Sequence, residues 1–299
     1  MDTLVSAVVT TCRRPKEIVL RAVKSIIGQT YPHMEIIVVD DSGNDYDGRE
    51  EVKKAVLGLK DFTDKEIFYF ENETRSGACV ARNVGLDNCH GEFVAFLDDD
   101  DEWRFDKIEK LISAFTSDAV MIYSNCFSVS DQTGERKVSR DYKEFRSGYI
   151  YPQLIDHNYI GSTSNPLIRT LSLKAIGGFD PLMRSAQDYD VWLRLSKTGE
   201  IIFLNEPLTI YHVHAGERIT ADPQKRIDGL ERLNEKNAEY LNSHKKIKWR
   251  RLIVIIPYYV AAKERKKAWA FWWKCVALNP FAIKTNLKYL LRYLVVKRK

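Results

Sequence analysis

FLDDDDEW, residues 96–103, sets four consecutive carboxylates, Asp98 to Asp101, directly after the apolar run 93–97. Two upstream segments have the same form. Residues 4–10 (LVSAVVT) lead into Thr10 to Arg14, and residues 36–39 (IIVV) lead into Asp40, Asp41 and Ser42. Between these short apolar, β-branched runs, residues 15–28 carry Ile18, Ala22 and Ile26 at helical spacing. A polar helix is expected at 50–59, a strand at 67–70 and a helix at 78–87. Strands alternating with helices predict an α/β fold with a mostly parallel sheet covered on both faces. Such sheets bind ligands beyond the carboxyl ends of their strands. Six carboxylates gather there, and adjacent like charges raise one another's pKa, so a cation or a set of hydrogen-bond donors is expected among them.

Asp98 and Asp100, two apart after a strand, have the oxygen chemistry of a hard divalent cation that also bridges phosphate oxygens. A solvated acidic turn is the rival reading. An EF-hand is excluded by Trp103 at the position that must be glycine. In RSGACVARNVG, residues 75–85, Gly77 stands near a helix start, and Arg82 could neutralise phosphate charge or simply be a surface residue. Arg13 and Arg14 present the same choice. QDYD, residues 187–190, opens an amphipathic helix expected over 187–197. Asp188 there is either a helix-terminal acid or the carboxylate that accepts a proton in a transfer reaction. His212 and His214 end a strand on one face and are surface histidines or a third metal or phosphate contact. Residues 142–165 read as loops and antiparallel strands lining a site.

Taken together, VSAVVTTCRRP with SIIGQTYP, EIIVVDDSGND, RSGACVARNVGL, GEFVAFLDDDDEW, GGFDP and AQDYDVWLRL resemble, in order and spacing, a family 2 glycosyltransferase with the GT-A fold. The resemblance spans roughly residues 3–220. It implies inverting transfer of a sugar from a nucleotide-activated donor, expected to be a UDP-sugar, to a glycan or lipid-linked acceptor in cell-envelope or polysaccharide assembly. It assigns Thr10 and Arg13 to the donor-facing first loop, Asp40 to the uracil ring, Asp41 to the vicinity of the ribose and Arg82 to the diphosphate. Asp98 and Asp100 become the outer acids of the family's Asp-x-Asp, with Asp100 as the direct ligand of Mg²⁺ or Mn²⁺ and Asp99 in the variable middle place. Asp188 matches the catalytic base, and His214 resembles a histidine near the diphosphate. Two positions depart from the pattern. Cys12 stands where an aromatic residue often stacks on the base, and Gln187 stands where Glu often precedes the catalytic base. A nucleotidyltransferase would place a glycine-rich phosphate loop after the first strand, and TTCRRP has none. A binding module without turnover would be indifferent to Asp188.

Composition adds partners. Residues 245–299 hold 16 Lys and Arg against one acid, Glu264, a net +15. Residues 1–244 carry 30 basic and 40 acidic residues, a net −10. An acidic body argues against a nucleic-acid binder. A basic tail rich in Trp and Tyr suits an anionic membrane surface. The chain therefore reads as a transferase domain over 1–220 and a helical basic extension over 221–299. The longest apolar stretch, 252–262, is interrupted by Pro257 and falls short of the roughly 18 residues of a spanning helix. With Asp2 and no basic region before the first apolar run, the expected location is cytoplasmic, peripheral on the inner membrane face. Five cysteines without a Cys-x-x-Cys are expected as reduced thiols, most of them buried.

Overall fold

The computed structural model describes residues 3–130, 132–138, 146–213 and 222–295, the last six by their backbone. Two units are present. One comprises Met1–Leu154, Asn158–Pro181 and Asp188–Ala215, and the other Ile155–His157, Leu182–Gln187 and Gly216–Lys299.

The first unit is built on parallel strands β1 (Val5–Thr11), β2 (Met34–Asp40), β3 (Glu66–Glu71) and β4 (Phe93–Asp98), ordered β3-β2-β1-β4. β2 is buried along its whole length. Covered on both faces, β1 and β2 therefore read as unbroken apolar runs rather than alternating ones. Successive residues nevertheless face opposite ways. Val5, Ala7, Val9, Ile36, Val38, Ala95 and Leu97 meet α1 (Lys16–Ile27), α2 (Arg49–Leu57) and α4 (Lys107–Ala114) in one core. In α1 the apolar positions Val19, Ala22, Val23 and Ile26 make the stripe turned to that core. On the opposite face lies α3 (Ala78–Asp87). Its Gly85 sits so close that an added Cβ would lie 2.4 Å from a methyl of Val8 and 3.5 Å from one of Val39.

Beyond β4 the sheet changes character. β8 (Leu167–Arg169) joins β4 and β6 (Ala119–Ser130) antiparallel, β6 runs parallel to β9 (Glu200–Val213), and β5 (Glu102–Trp103) closes the edge antiparallel to β9. A further strand, β7 (Arg136–Val138), pairs off β6. The fold is thus the mixed α/β GT-A arrangement, with antiparallel joints that strand–helix alternation does not announce. The strand expected to end at His212 and His214 is β9, fourteen residues long from Glu200 to Val213. Residues 142–165 hold no long strand among the described residues. They contain the short helix α5 (Tyr151–Leu154) and an ordered loop at 158–165. The segment 170–175 is helix α6 (Thr170–Ala175), and α7 (Gln187–Leu195) lies where the apolar spacing expects a helix.

The second unit is helical: α8 (Pro223–Lys236), α9 (Ala238–Ser243), α10 (Lys245–Ile253), α11 (Ile256–Ala261), α12 (Arg265–Leu278) and α13 (Ile283–Val295). Asp222 caps α8 by accepting the backbone N–H groups of Gln224 and Lys225, and Pro223 fills the first helical position, which needs no donor. Ile227, Leu230, Trp249, Ile253, Ile256, Tyr259, Ala268 and Cys275 form its core. No described helix is long and apolar enough to cross a membrane. All five cysteines are free, and Cys79, Cys89 and Cys275 are buried.

Candidate active site

Strand register places the site. Thr10 lies beside Asp98, and Thr11 beside Asp40, so the acids after β2 and β4 stand at one end of the sheet with the loop after β1 between them. The four acids of residues 98–101 then separate into two kinds. Asp99 and Asp101 are buried, whereas the side chains of Asp98 and Asp100 keep 28% and 21% of their surface exposed.

Asp99 accepts from Thr11 Oγ1 at 2.7 Å and from Arg14 Nε at 3.2 Å. Burial pushes its carboxyl up to about 6, against the pull of Arg14. Asp101 accepts from Ser164 Oγ at 2.6 Å and from the His212 backbone N–H at 3.3 Å. Burial, with Asp98 adding like charge, raises it well above the ordinary carboxylate range. These two acids tie β4 to its neighbours. The other two keep part of their surface exposed at the strand end. Asp98 accepts from Arg82 Nη2 at 2.8 Å and Thr163 Oγ1 at 2.9 Å, with Ser162 Oγ at 3.4 Å. Asp100 pairs with Arg14 Nη2 at 2.9 Å, and its backbone carbonyl accepts from Arg21 Nη2 at 2.7 Å.

The loop that brings Ser162 and Thr163 to Asp98 is held from beneath by a buried cation. The Lys107 ammonium, fully buried, donates to the carbonyls of Ser164 and Asn165 at 3.1 and 2.6 Å and to Thr209 Oγ1 at 2.9 Å. Trp103 Nε1 reaches the same Ser164 carbonyl at 2.9 Å. Burial lowers the Lys107 pKa to about 7, opposed by the charges of Cys126 and Asp101.

At the end of β2 both acids are buried and engaged. Asp40 accepts from Tyr69 Oη at 2.7 Å and the Ser42 N–H at 2.8 Å, and burial with this bond drives the Tyr69 phenol upward. Asp41 accepts from Asn72 Nδ2 and from the backbone N–H groups of Ser76 and Gly77, at 2.7, 2.9 and 2.7 Å. Gly77, with φ +94°, takes a conformation an L side chain resists, and it turns its N–H onto Asp41 just before α3 begins. Asp41 thus fixes the start of the helix that carries Arg82. Arg82 is buried, lies over the Phe179 ring at 5.5 Å, and leaves its Nε without an acceptor among the described residues. Arg13 spans the loops after β1 and β2. Its N–H and Nε bind Ser42, and its guanidinium pairs with Asp45 at 2.6 Å. Arg14, passed over in the sequence in favour of Arg13, is the arginine that lies on the acids. Half-exposed Cys12 donates weakly to the Asp41 carbonyl, and burial raises its thiol pKa.

In QDYD the two acids diverge. Asp190 is buried and pairs with Arg194 at 2.8 Å, whose guanidinium also binds the carbonyls of Ile176 and Gly178. Asp188, half-buried in the first turn of α7, accepts the N–H of Tyr189 at 2.7 Å. Tyr189 Oη and Trp192 Nε1 anchor this helix to the carbonyls of Leu154 and Gly161, on the approaches to the same loop that serves Asp98. His212 Nε2 lies 2.7 Å from Glu102. His214 lies outside the described residues.

Among the described residues no three His, Cys, Asp or Glu side chains converge as a metal cage. Asp98 and Asp100 nevertheless fit a divalent cation that takes most of its ligands from phosphate and water. They are hard oxygen donors two residues apart and partly exposed, while the acids between and after them are committed inward.

The sequence model of glycosyl transferase family 2 matches residues 6–176. The chain belongs to this family. It is 28% identical over 284 residues to the putative colanic acid biosynthesis glycosyl transferase WcaA of Escherichia coli K12, covering 85% of this chain and 93% of that one. It is 30% identical over 213 residues to the putative teichuronic acid biosynthesis glycosyltransferase TuaG of Bacillus subtilis, covering 69% and 78%. Against an uncharacterized glycosyltransferase of Rickettsia felis it spans 36% of that protein's length, at 27% identity over 77% of this chain. The crystal structure of Staphylococcus aureus TarS 1–349 in complex with UDP-GlcNAc shares the fold, with a TM-score of 0.66 at 19% identity over 98% of this chain and 90% of that one.

Proposed function

We propose that this family 2 glycosyltransferase moves a sugar from a UDP-sugar to a hydroxyl of a glycan or lipid-linked acceptor in cell-envelope polysaccharide assembly, with inversion at the anomeric carbon. The observation that carries the reading is Asp98, held by Arg82 and Thr163 next to Asp100, with Arg14 alongside. Cations and carboxylates interleaved at strand ends suit a diphosphate and its counter-ion. Support for donor and acceptor comes from E. coli WfgD, named a UDP-Glc:α-D-GlcNAc-diphosphoundecaprenol β-1,3-glucosyltransferase and 28% identical over 206 residues, covering 69% of this chain and 75% of that one. Membership of the family favours this reading over a nucleotidyltransferase.

Asp98 and Asp100 would hold Mg²⁺ or Mn²⁺, which when bound adds positive charge beside the diphosphate. The chain's own residues do the rest. Asp40, assigned to the base by the family resemblance, is buried with both oxygens engaged by Tyr69 and Ser42, so it would act on the base chiefly by fixing the end of β2. The loop fixed by Asp41 and Arg13 bounds the nucleoside. Arg82 and Arg14 stand where charge develops on the departing diphosphate, already oriented by their carboxylate partners. Asp188 accepts the proton of the attacking hydroxyl. A peripheral position on the inner membrane face fits a lipid-linked acceptor. Calorimetric titration with UDP, with and without Mn²⁺ and with GDP and CDP as controls, tests the donor site. Metal-dependent binding that prefers UDP is expected. Absence of nucleotide binding with metal present would remove Asp40, Asp98 and Asp100 from the site together.

A further inference from the structure

Helix α12 is apolar on two faces. Ala268 and Cys275, with Phe271 and Trp272, pack into the core of the helical unit. The outer face would be polar on an ordinary surface helix. Here Lys266, Trp269, Ala270, Trp273, Lys274 and Ala277 recur at spacings of three and four and are all exposed. Trp269 keeps 44% of its surface and Trp273 52%. The inward tryptophans are satisfied, since Trp249 Nε1 donates to Asn286 Oδ1 at 3.0 Å and Trp272 Nε1 to the Asn286 carbonyl at 2.9 Å. The indole N–H groups of Trp269 and Trp273 meet no acceptor among the described residues. Phe281, 92% exposed, with Ile283 and Leu287 at 61% and 46%, extends the apolar surface into the start of α13 between exposed Lys284 and Lys288. The one acid of residues 245–299, Glu264, is held by Lys267 at 2.6 Å.

We infer that the outer face of α12 and the start of α13 form a membrane-docking surface for anionic phospholipid. Amphipathic indoles prefer the headgroup level, where the ring is buried and the N–H stays wet. Lysines beside them meet lipid phosphates, each adding roughly fivefold to partitioning. A second copy of the chain is disfavoured as occupant, because a self-complementary contact would bring two surfaces of the same positive charge together. With α12 fourteen residues long, the helix lies in the interface rather than across it. The surface stands on its own geometry, while its use in reaching a lipid-linked acceptor rests on the proposed function.

Sedimentation of the full chain with phosphatidylcholine vesicles, with and without phosphatidylglycerol, tests it. Binding only to the anionic vesicles is expected, with a blue-shifted tryptophan emission and release at high salt. The double variant Trp269→Ala/Trp273→Ala and the charge reversal Lys266→Glu/Lys274→Glu should each lower partitioning by about tenfold or more. The second pair is exposed, with Lys274 resting over the Phe271 ring at 4.9 Å, and guards against misfolding of the first. Equal binding by the charge reversal, salt-insensitive binding to neutral vesicles, or no binding would overturn the inference. So would a concentration-dependent dimer that Trp273→Ala dissolves. UDP titration of the same preparations separates the two readings: loss of vesicle binding with UDP binding intact removes the lipid surface alone.

Discussion

Replacing Lys107 by methionine isolates the support beneath the site. The ammonium is fully buried, its pKa lowered by that burial to about 7 from the ordinary 10.5. Between those values the unfolded chain binds a proton that the folded chain has lost, so stability rises with pH across this window and is lost as pH falls through it. From pH 7 to 9.5 the linkage amounts to about 3 kcal/mol at most, taking 1.36 kcal/mol per pH unit. The variant lacks this contribution. It also removes the common donor of the Ser164 and Asn165 carbonyls and the Thr209 hydroxyl. Ser164 keeps Trp103 Nε1 and Thr209 keeps its bond to Ser164, so the Asn165 carbonyl is the group left unsatisfied, at about 1–3 kcal/mol. Urea denaturation of both proteins at several pH values reads the difference, because every other titrating group is shared. The gap between them should widen toward pH 9.5. Parallel stability curves would refute the argument. Loosening the loop should also weaken UDP-sugar binding, since Ser162 and Thr163 reach Asp98 from it.

Asp188→Asn should lower transfer by roughly 10²–10⁴-fold, the usual size of a general-base contribution, while UDP affinity measured by calorimetry stays unchanged. Full turnover would remove Asp188 from the chemistry. Asp100→Ala should abolish the metal-dependent part of UDP binding and leave the melting temperature within a few degrees, since the side chain is partly exposed. Asp41→Ala strips three hydrogen bonds from residues 72–77, so a loss of about 3 kcal/mol or more in urea is expected together with weaker donor binding. A neutral effect on both would mean that this carboxylate does not position α3.

The strands that carry the site were legible because β1, β2 and β4 are covered on both faces and so spell themselves as apolar runs, β2 and β4 ending in acids. β6 and β9 were not. Their second halves are only partly buried and mix Ser, Asn, Glu, Pro and Thr, and β6 finds its partner some eighty residues away, a pairing that no local periodicity encodes. Within the site, residue type was readable and environment was not. Four identical aspartates in a row divide into two inward and two outward only when Thr11, Ser164 and the His212 backbone arrive from distant segments. Neighbouring Arg13 and Arg14 divide in the same way, one drawn off by Asp45. The sequence does not single out Lys107; its place on one face of α4 with Ile108, Leu111 and Ile112 is the one sign it carries.

Gly85 has a bearing on chemistry that its bare hydrogen conceals. Because α3 rests on β1 at a separation no methyl group would permit, the height of the helix above the sheet is set by contact with Val8 rather than by a flexible cushion. Arg82, one turn earlier on the same helix, inherits that height, and with it the reach of its guanidinium to Asp98. Alanine at 85 would force the helix or the Val8 side chain to give way by about an ångström, without touching any polar group. The tolerance of the proposed donor site is thus machined into a residue that has nothing to offer a ligand.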